Sequence, residues 1–133
     1  MKKYHTGSHS KYLLKVHLIF VVKYRKKLLT YPINKSVKQI MYDIASESDF
    51  EIEVMESDED HIHLMIDYPP TLSVVSIVNR LKAVSTNRIW KQIGQLLQTH
   101  FWKEKTFWSD GYFASSTGDV SAETIRKYIE SQG

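Results

Sequence analysis

The sequence predicts an α+β domain: one antiparallel sheet with two helices on one face and a further helix at the C-terminal end. Three observations predict it. Apolar residues alternate with period two around residues 15–22, 50–54 and 61–66, the repeat that strands impose. They recur at helical spacing around residues 37–44, 74–84 and 125–129. The segments follow the order strand, helix, strand, strand, helix, strand, helix. At 133 residues with 42% hydrophobic composition, the chain suits one buried core.

Residues 1–10 are polar and contain Gly and Ser, which predicts a loose arm. From Lys11 a long strand follows, with Val16, Leu18, Phe20 and Val22 on one face and Lys15, His17, Ile19 and Val21 on the other. Apolar residues on both faces predict a central strand covered on each side. Tyr31-Pro32 interrupts it, and Asn34 or a neighbour can cap a helix reaching to about residue 48. Val37, Ile40, Met41 and Ile44 form its apolar stripe.

Phe50, Ile52 and Val54 alternate with Glu51 and Glu53, and a short polar link leads into the strand at residues 61–66. The two predict an antiparallel hairpin. Tyr68-Pro69-Pro70 stops it. The longest helix is expected at residues 73–93, with Val74, Ile77, Val78, Leu81 and Val84 buried. Ser76, Arg80, Ala83, Asn87 and Lys91 fall on a polar line. Residues 107–113 read as a turn into a last strand ended by Thr117-Gly118-Asp119. Ser121 then caps a terminal helix through Gln132. This order is the split βαβ, ferredoxin-like arrangement. We expect one domain over residues 1–133, with the extra helix at residues 120–132 covering the free face of the sheet.

Composition narrows the function. There is no cysteine, so disulfides, thiolate metal sites and a catalytic thiol are excluded. No apolar run is long enough to span a membrane and no signal-type leader opens the chain, which predicts a cytoplasmic protein without membrane contact. Eight acids lie between Glu47 and Asp60 with no Lys or Arg among them; elsewhere 18 bases face the remaining seven acids. Such segregation suits a polyanion, nucleic acid before membrane. Lys23-Tyr24-Arg25-Lys26-Lys27 can pair with phosphates and stack on a base. Lys23, Arg25 and Lys26, with Arg80, Lys82 and Arg88 on the long helix, are the candidate phosphate contacts, and the DNA contacts if the polyanion is DNA.

The chemistry centres on Asp60-His61-Ile62-His63-Leu64. In a strand, His61 and His63 stand side by side while Ile62, Leu64 and Ile66 enter the core. Two neutral imidazoles so placed can share a metal ion, although a strand edge can also carry two histidines incidentally. On the terminal helix, Tyr128 and Gln132 are four apart and share a face. A docked helix would aim a phenol and an amide at the imidazoles. His61, His63 and Gln132 would leave open positions on a divalent ion, and mixed N/O donors suit Mg²⁺ or Mn²⁺ better than structural Zn²⁺. A tyrosine oxygen in line with a leaving oxygen could then form a phosphotyrosine.

These blocks carry a resemblance. Asp60-His61-Ile62-His63-Leu64 resembles the His-hydrophobic-His signature of HUH nucleases. Tyr128-Ile129-Glu130-Ser131-Gln132 resembles the Tyr-x-x-x-Gln helix of the single-tyrosine transposases of the insertion-sequence 200/605 family. Lys23-Tyr24-Arg25, Leu81-Lys82-Ala83 and the Trp108–Phe113 segment stand where similar segments occur there. The resemblance implies binding of subterminal hairpins as single-stranded DNA. It implies cleavage by Tyr128 to a 5′-phosphotyrosine and a free 3′-OH, and rejoining of ends. It assigns His61, His63 and Gln132 to Mg²⁺ or Mn²⁺. It also implies a homodimer in which the tyrosine helix can serve the partner's histidines. Ala83 and Asp110 depart from residues frequent in the family, glycine and arginine.

Two other readings stay open. One is a domesticated, palindrome-associated tyrosine transposase or a replication-type nickase with the same chemistry. The other is a non-catalytic module that binds single strands on an exposed sheet.

Overall fold

Two short strands, β1 (His5–Thr6) and β2 (Lys11–Tyr12), pair antiparallel at the start of the computed structural model, which describes residues 5–6, 11–116 and 121–132. The long strand expected from Lys11 is therefore broken before the central strand, β3 (Lys15–Val21). A tight turn follows at Lys23–Arg25, where Tyr24 and Arg25 take left-handed backbone, φ 62° and 52°. Helix α1 (Ile33–Ser46) starts after Pro32 without a side-chain cap, so Asn34 does not cap it. Strands β4 (Glu51–Asp58) and β5 (His61–Asp67) form the expected hairpin. Helix α2 (Val74–Phe101), strand β6 (Phe113–Ser115) and helix α3 (Ala122–Ser131) complete the order.

The four-stranded sheet runs β4-β5-β3-β6 with every pairing antiparallel, the split βαβ order. Val16, Leu18, Phe20 and Val22 meet Ile62, Leu64 and Ile66, and α1 and α2 close this core with Val37, Met41, Ile44, Ile77 and Leu81. Ile19 and Val21 point to the other face, where they join Ile129 in a smaller cluster with Phe113, Ile125 and Tyr128 packed around it.

Two expectations are corrected by tertiary context. A register shift between Ile52 and Val54 turns Val54 outward, 37% exposed, and lets Met55 pack on the core instead. The second helix does not end at Ile93. That residue is non-helical (φ −132°, ψ 30°), but the helix resumes because Leu97 and Phe101 are buried beyond it. Residues 117–120, expected to end the last strand, lie outside the described residues, as do residues 1–4 and 7–10 of the expected arm.

Helix α3 docks through the smaller cluster, with Ile125, Tyr128 and Ile129 against Ile19, Val21 and Phe113. Ser121 Oγ accepts from the Thr124 amide, as a cap should, and Ile129 is the helix's one buried side chain. Burying one such side chain is worth about 1.5–3 kcal/mol.

Candidate active site

His61 and His63 stand on β5 because Ile62, Leu64 and Ile66 on the alternate face are fully buried in the main core. Across the ladder, His61 lies opposite Val21 and His63 opposite Ile19. The histidines therefore share a face with the two β3 residues on which α3 sits. His61 Nδ1 lies 2.9 Å from Asp60 Oδ1, whose other oxygen is 3.5 Å from Arg25 Nε. That carboxylate fixes the ring and leaves Nε2 free.

His63 is gripped by a residue that sequence reasoning left out of the site. His17 Nδ1 lies 2.9 Å from His63 Nε2, and the rings stack with centroids 5.1 Å apart. Its place followed from strand alternation, since His17 shares a face with Ile19 and Val21; its nearness to His63 depends on β3–β5 register. Burial, then the His17 and His61 charges, pushes the His63 pKa below its ordinary value, with Glu56 opposing. A neutral imidazole is the form that binds metal.

Tyr128 and Gln132 form the second group. Tyr128 Oη is buried and has no hydrogen-bond partner among the described residues, and burial raises its pKa above 10. Its ring packs 5.8 Å from that of Phe113, the β6 residue paired with Ile19. Gly111 brings the two side chains together: a Cβ there would sit 3.5 Å from Tyr128 Oη and 3.7 Å from Gln132 Oε1. Gln132 Nε2 donates to Ser131 Oγ, which leaves the amide oxygen on the Gly111 side.

If His61, His63 and Gln132 held a divalent ion, they would leave positions on it open. Among the described residues no three His, Asp or Glu side chains make a ready cage. Two imidazoles and the Gln132 amide oxygen would therefore have to be supplemented by water and substrate oxygens, a set that Mg²⁺ or Mn²⁺ accepts.

The six candidate DNA contacts are all engaged within the chain. Lys23 pairs with Glu104 and lies 3.9 Å from Asp110, and Lys26 stands 6.0 Å over the Phe101 ring. Arg25 bonds Asp60; Arg80 Nε donates to Ser48 Oγ at 2.6 Å; Arg88 pairs with Glu47 at 2.8 Å. Lys82 donates to three backbone carbonyls, those of Ser109, Asp110 and Gly111. Burial lowers its pKa, against the Asp110 charge.

Residues 10–132 match the family described as "Transposase IS200 like". The chain belongs to that family. The ISDra2 transposase TnpA of Deinococcus radiodurans is 34% identical over 125 residues, covering 91% of this chain and 85% of that protein. The transposase for insertion sequence element IS200 of Salmonella typhimurium is 29% identical, with 94% and 80% covered. A crystal structure described as a transposase from D. radiodurans R1 superposes with a TM-score of 0.88 at 29% identity, covering 96% of this chain and 97% of that one. A REP-associated tyrosine transposase bound to a REP hairpin shares the fold, with a TM-score of 0.55 at 14% identity over 94% of this transposase and 69% of that chain. Among the described residues no helix is long and apolar enough to cross a membrane.

Proposed function

We propose that this transposase cleaves and rejoins single-stranded DNA at hairpin-marked element ends through Tyr128. The observation that carries the reading is the meeting of Tyr128 Oη and Gln132 Oε1 at Gly111, on the sheet face that bears His61 and His63.

His61, His63 and Gln132 would hold the Mg²⁺ or Mn²⁺. When bound, the ion supplies positive charge that polarises the scissile phosphate and steadies it for in-line displacement. Asp60 orients His61 and His17 orients His63, so both rings are set before substrate arrives. Tyr128 Oη attacks phosphorus; the new P–O bond leaves a 5′-phosphotyrosine as the bond to the 3′ oxygen breaks, and that oxygen takes up a proton to become a free 3′-OH. Rejoining runs the same exchange backwards with another 3′-OH.

The phenol must lose its proton for attack, and in its buried place the neutral form is favoured. Release of α3 from the small cluster that Ile125, Tyr128 and Ile129 form with Ile19, Val21 and Phe113 would give the phenol to substrate. A homodimer in which the tyrosine helix serves the partner's histidines is what the family resemblance implies, and we include it in the proposal on that ground. Single-domain organisation over residues 1–133, with α3 (Ala122–Ser131) as nucleophile helix, and action on cytoplasmic DNA complete the reading. Lys23, Arg25, Lys26, Arg80 and Arg88 would reach the hairpin by exchanging internal partners for phosphates.

The test is incubation with single-stranded oligonucleotides drawn from the DNA flanking the gene, chosen there for imperfect palindromes. Cleavage should need Mn²⁺ or Mg²⁺ and vanish in Tyr128→Phe, while that variant still shifts the hairpin in a gel. Cleavage in chelator, or by Tyr128→Phe, would rule the reading out.

A further inference from the structure

Lys82 stands on α2, on the helical side of the sheet, yet its ammonium reaches the segment that crosses to the other side. Its Nζ donates to the carbonyls of Ser109 at 2.6 Å, Asp110 at 3.1 Å and Gly111 at 3.1 Å. An ammonium has three N–H donors, so consecutive backbone oxygens absorb all of them and none is left for a phosphate.

The same segment is tied down on both sides. Trp108 Nε1 donates to Ser85 Oγ at 2.9 Å, one turn along α2 from Lys82, in a buried contact. The Ser109 amide donates to the Val21 carbonyl at the end of β3 at 2.8 Å, and Val22 bridges Trp108. The segment thus passes from the main core, which holds Phe107 and Trp108, to the face that holds Phe113 and Tyr128. Gly111, its last residue, is the seat of Tyr128 Oη and Gln132 Oε1.

The geometry points to Lys82 as a positioning residue that holds the 109–111 segment in the shape on which the Tyr128 phenol and the Gln132 amide are seated. This inference rests on the proposed role of Tyr128, and it removes Lys82 from the candidate DNA contacts. Without the ammonium, three carbonyls would converge on one point with no donor between them. Their mutual repulsion would splay the segment and unseat both side chains.

The two roles for Lys82 separate cleanly. A lysine on a phosphate steepens the fall of log affinity with log salt by about one unit, whereas a clamp leaves that slope alone. Lys82→Met and Lys82→Arg are compared with the full-length wild type, using the flanking-palindrome oligonucleotide and Mn²⁺. For Lys82→Met we expect hairpin affinity and salt slope at wild-type values, with a single-turnover adduct rate lower by about tenfold or more. In the DNA-free, metal-free protein, exchange of the Ser109 amide should accelerate by a similar factor. Lys82→Arg, which keeps a cation and several donors, should recover most of both.

A salt slope shallower by about one unit, with an unchanged rate in the bound complex, would overturn the inference in favour of a phosphate contact. Unchanged Ser109 exchange in Lys82→Met would overturn it outright. If Lys82→Met does not fold, the wild type's Lys82 Nζ resonance decides: persistence of its slowed exchange when hairpin binds supports the clamp, and its loss refutes it. If the wild type forms no adduct, the assignment of Tyr128 fails, and the exchange measurement still judges the clamp separately.

Discussion

His17 Nδ1 lies 2.9 Å from His63 Nε2, so the two histidines of the His-x-His pair are gripped at different ring nitrogens. His61 is held at Nδ1 by Asp60, and His63 at Nε2 by His17. Each ring keeps one nitrogen for another ligand. The carboxylate and the third imidazole thereby set the orientation of one ring each.

Removing the His17 grip should cost metal affinity without unfolding the protein. For His17→Ala we expect Mn²⁺ to bind about tenfold more weakly by calorimetry, in line with the loss of an orienting partner. Equal affinity would mean that His17 merely fills space beside His63.

The half-buried His63 gives the metal-free protein an acid dependence. Its pKa lies below 6.5 in the fold, mainly through burial, while the unfolded chain titrates near 6.5. The stability linked to this group is therefore complete above about pH 6.5 and is lost as pH falls through the folded pKa. Denaturant midpoints measured from pH 7.5 down to 5 should decline less in His63→Asn than in the wild type, and the His63 ring signal should titrate below 6.5. A midpoint above that value would show that the site does not desolvate the ring.

Tyr128 should be a group kept at some expense to stability. Its hydroxyl is buried with no partner among the described residues, and such an oxygen costs about 1–3 kcal/mol. Tyr128→Phe should raise thermal stability by about 1 kcal/mol at neutral pH while abolishing the adduct. The raised pKa has the opposite sign to that of His63: its share of stability is intact below pH 10 and is lost as pH rises through the folded value. That alkaline loss should be absent in Tyr128→Phe. A destabilised variant would mean that the hydroxyl has a partner after all.

Ile129 should govern how α3 is held. An Ile→Ala change in a core costs about 2–5 kcal/mol. Here the anchor belongs to one helix, so Ile129→Ala should free α3 while the remaining domain keeps its unfolding midpoint. Hydrogen exchange would show the change confined to residues 122–131. A drop in global stability would place the second cluster within the main folding unit.

Much of this was legible in local patterns. His61 and His63 announced their shared face because strict alternation sends Ile62 and Leu64 inward, and Ser121 announced a helix start because its hydroxyl caps. What sequence could not carry was distant in the chain. Val54 gave way to Met55 because a register shift depends on the partner strand. Helix α2 outran Ile93 because Leu97 and Phe101 found burial beyond a kink. His17 needed the β3–β5 register, and Lys82 bonds main-chain oxygens, which leave no trace in residue type. Gly111 is also silent in sequence; only the structure brings Tyr128 and Gln132 against it.

The central claim is that Tyr128 becomes covalently joined to DNA. The direct measurement is peptide mapping by mass spectrometry of the protein after reaction with the flanking-palindrome oligonucleotide and Mn²⁺. The account predicts a nucleotide attached through a 5′-phosphate to the peptide containing Tyr128. A nucleotide on any other residue, or cleavage that leaves the protein unmodified at every time point, would contradict it.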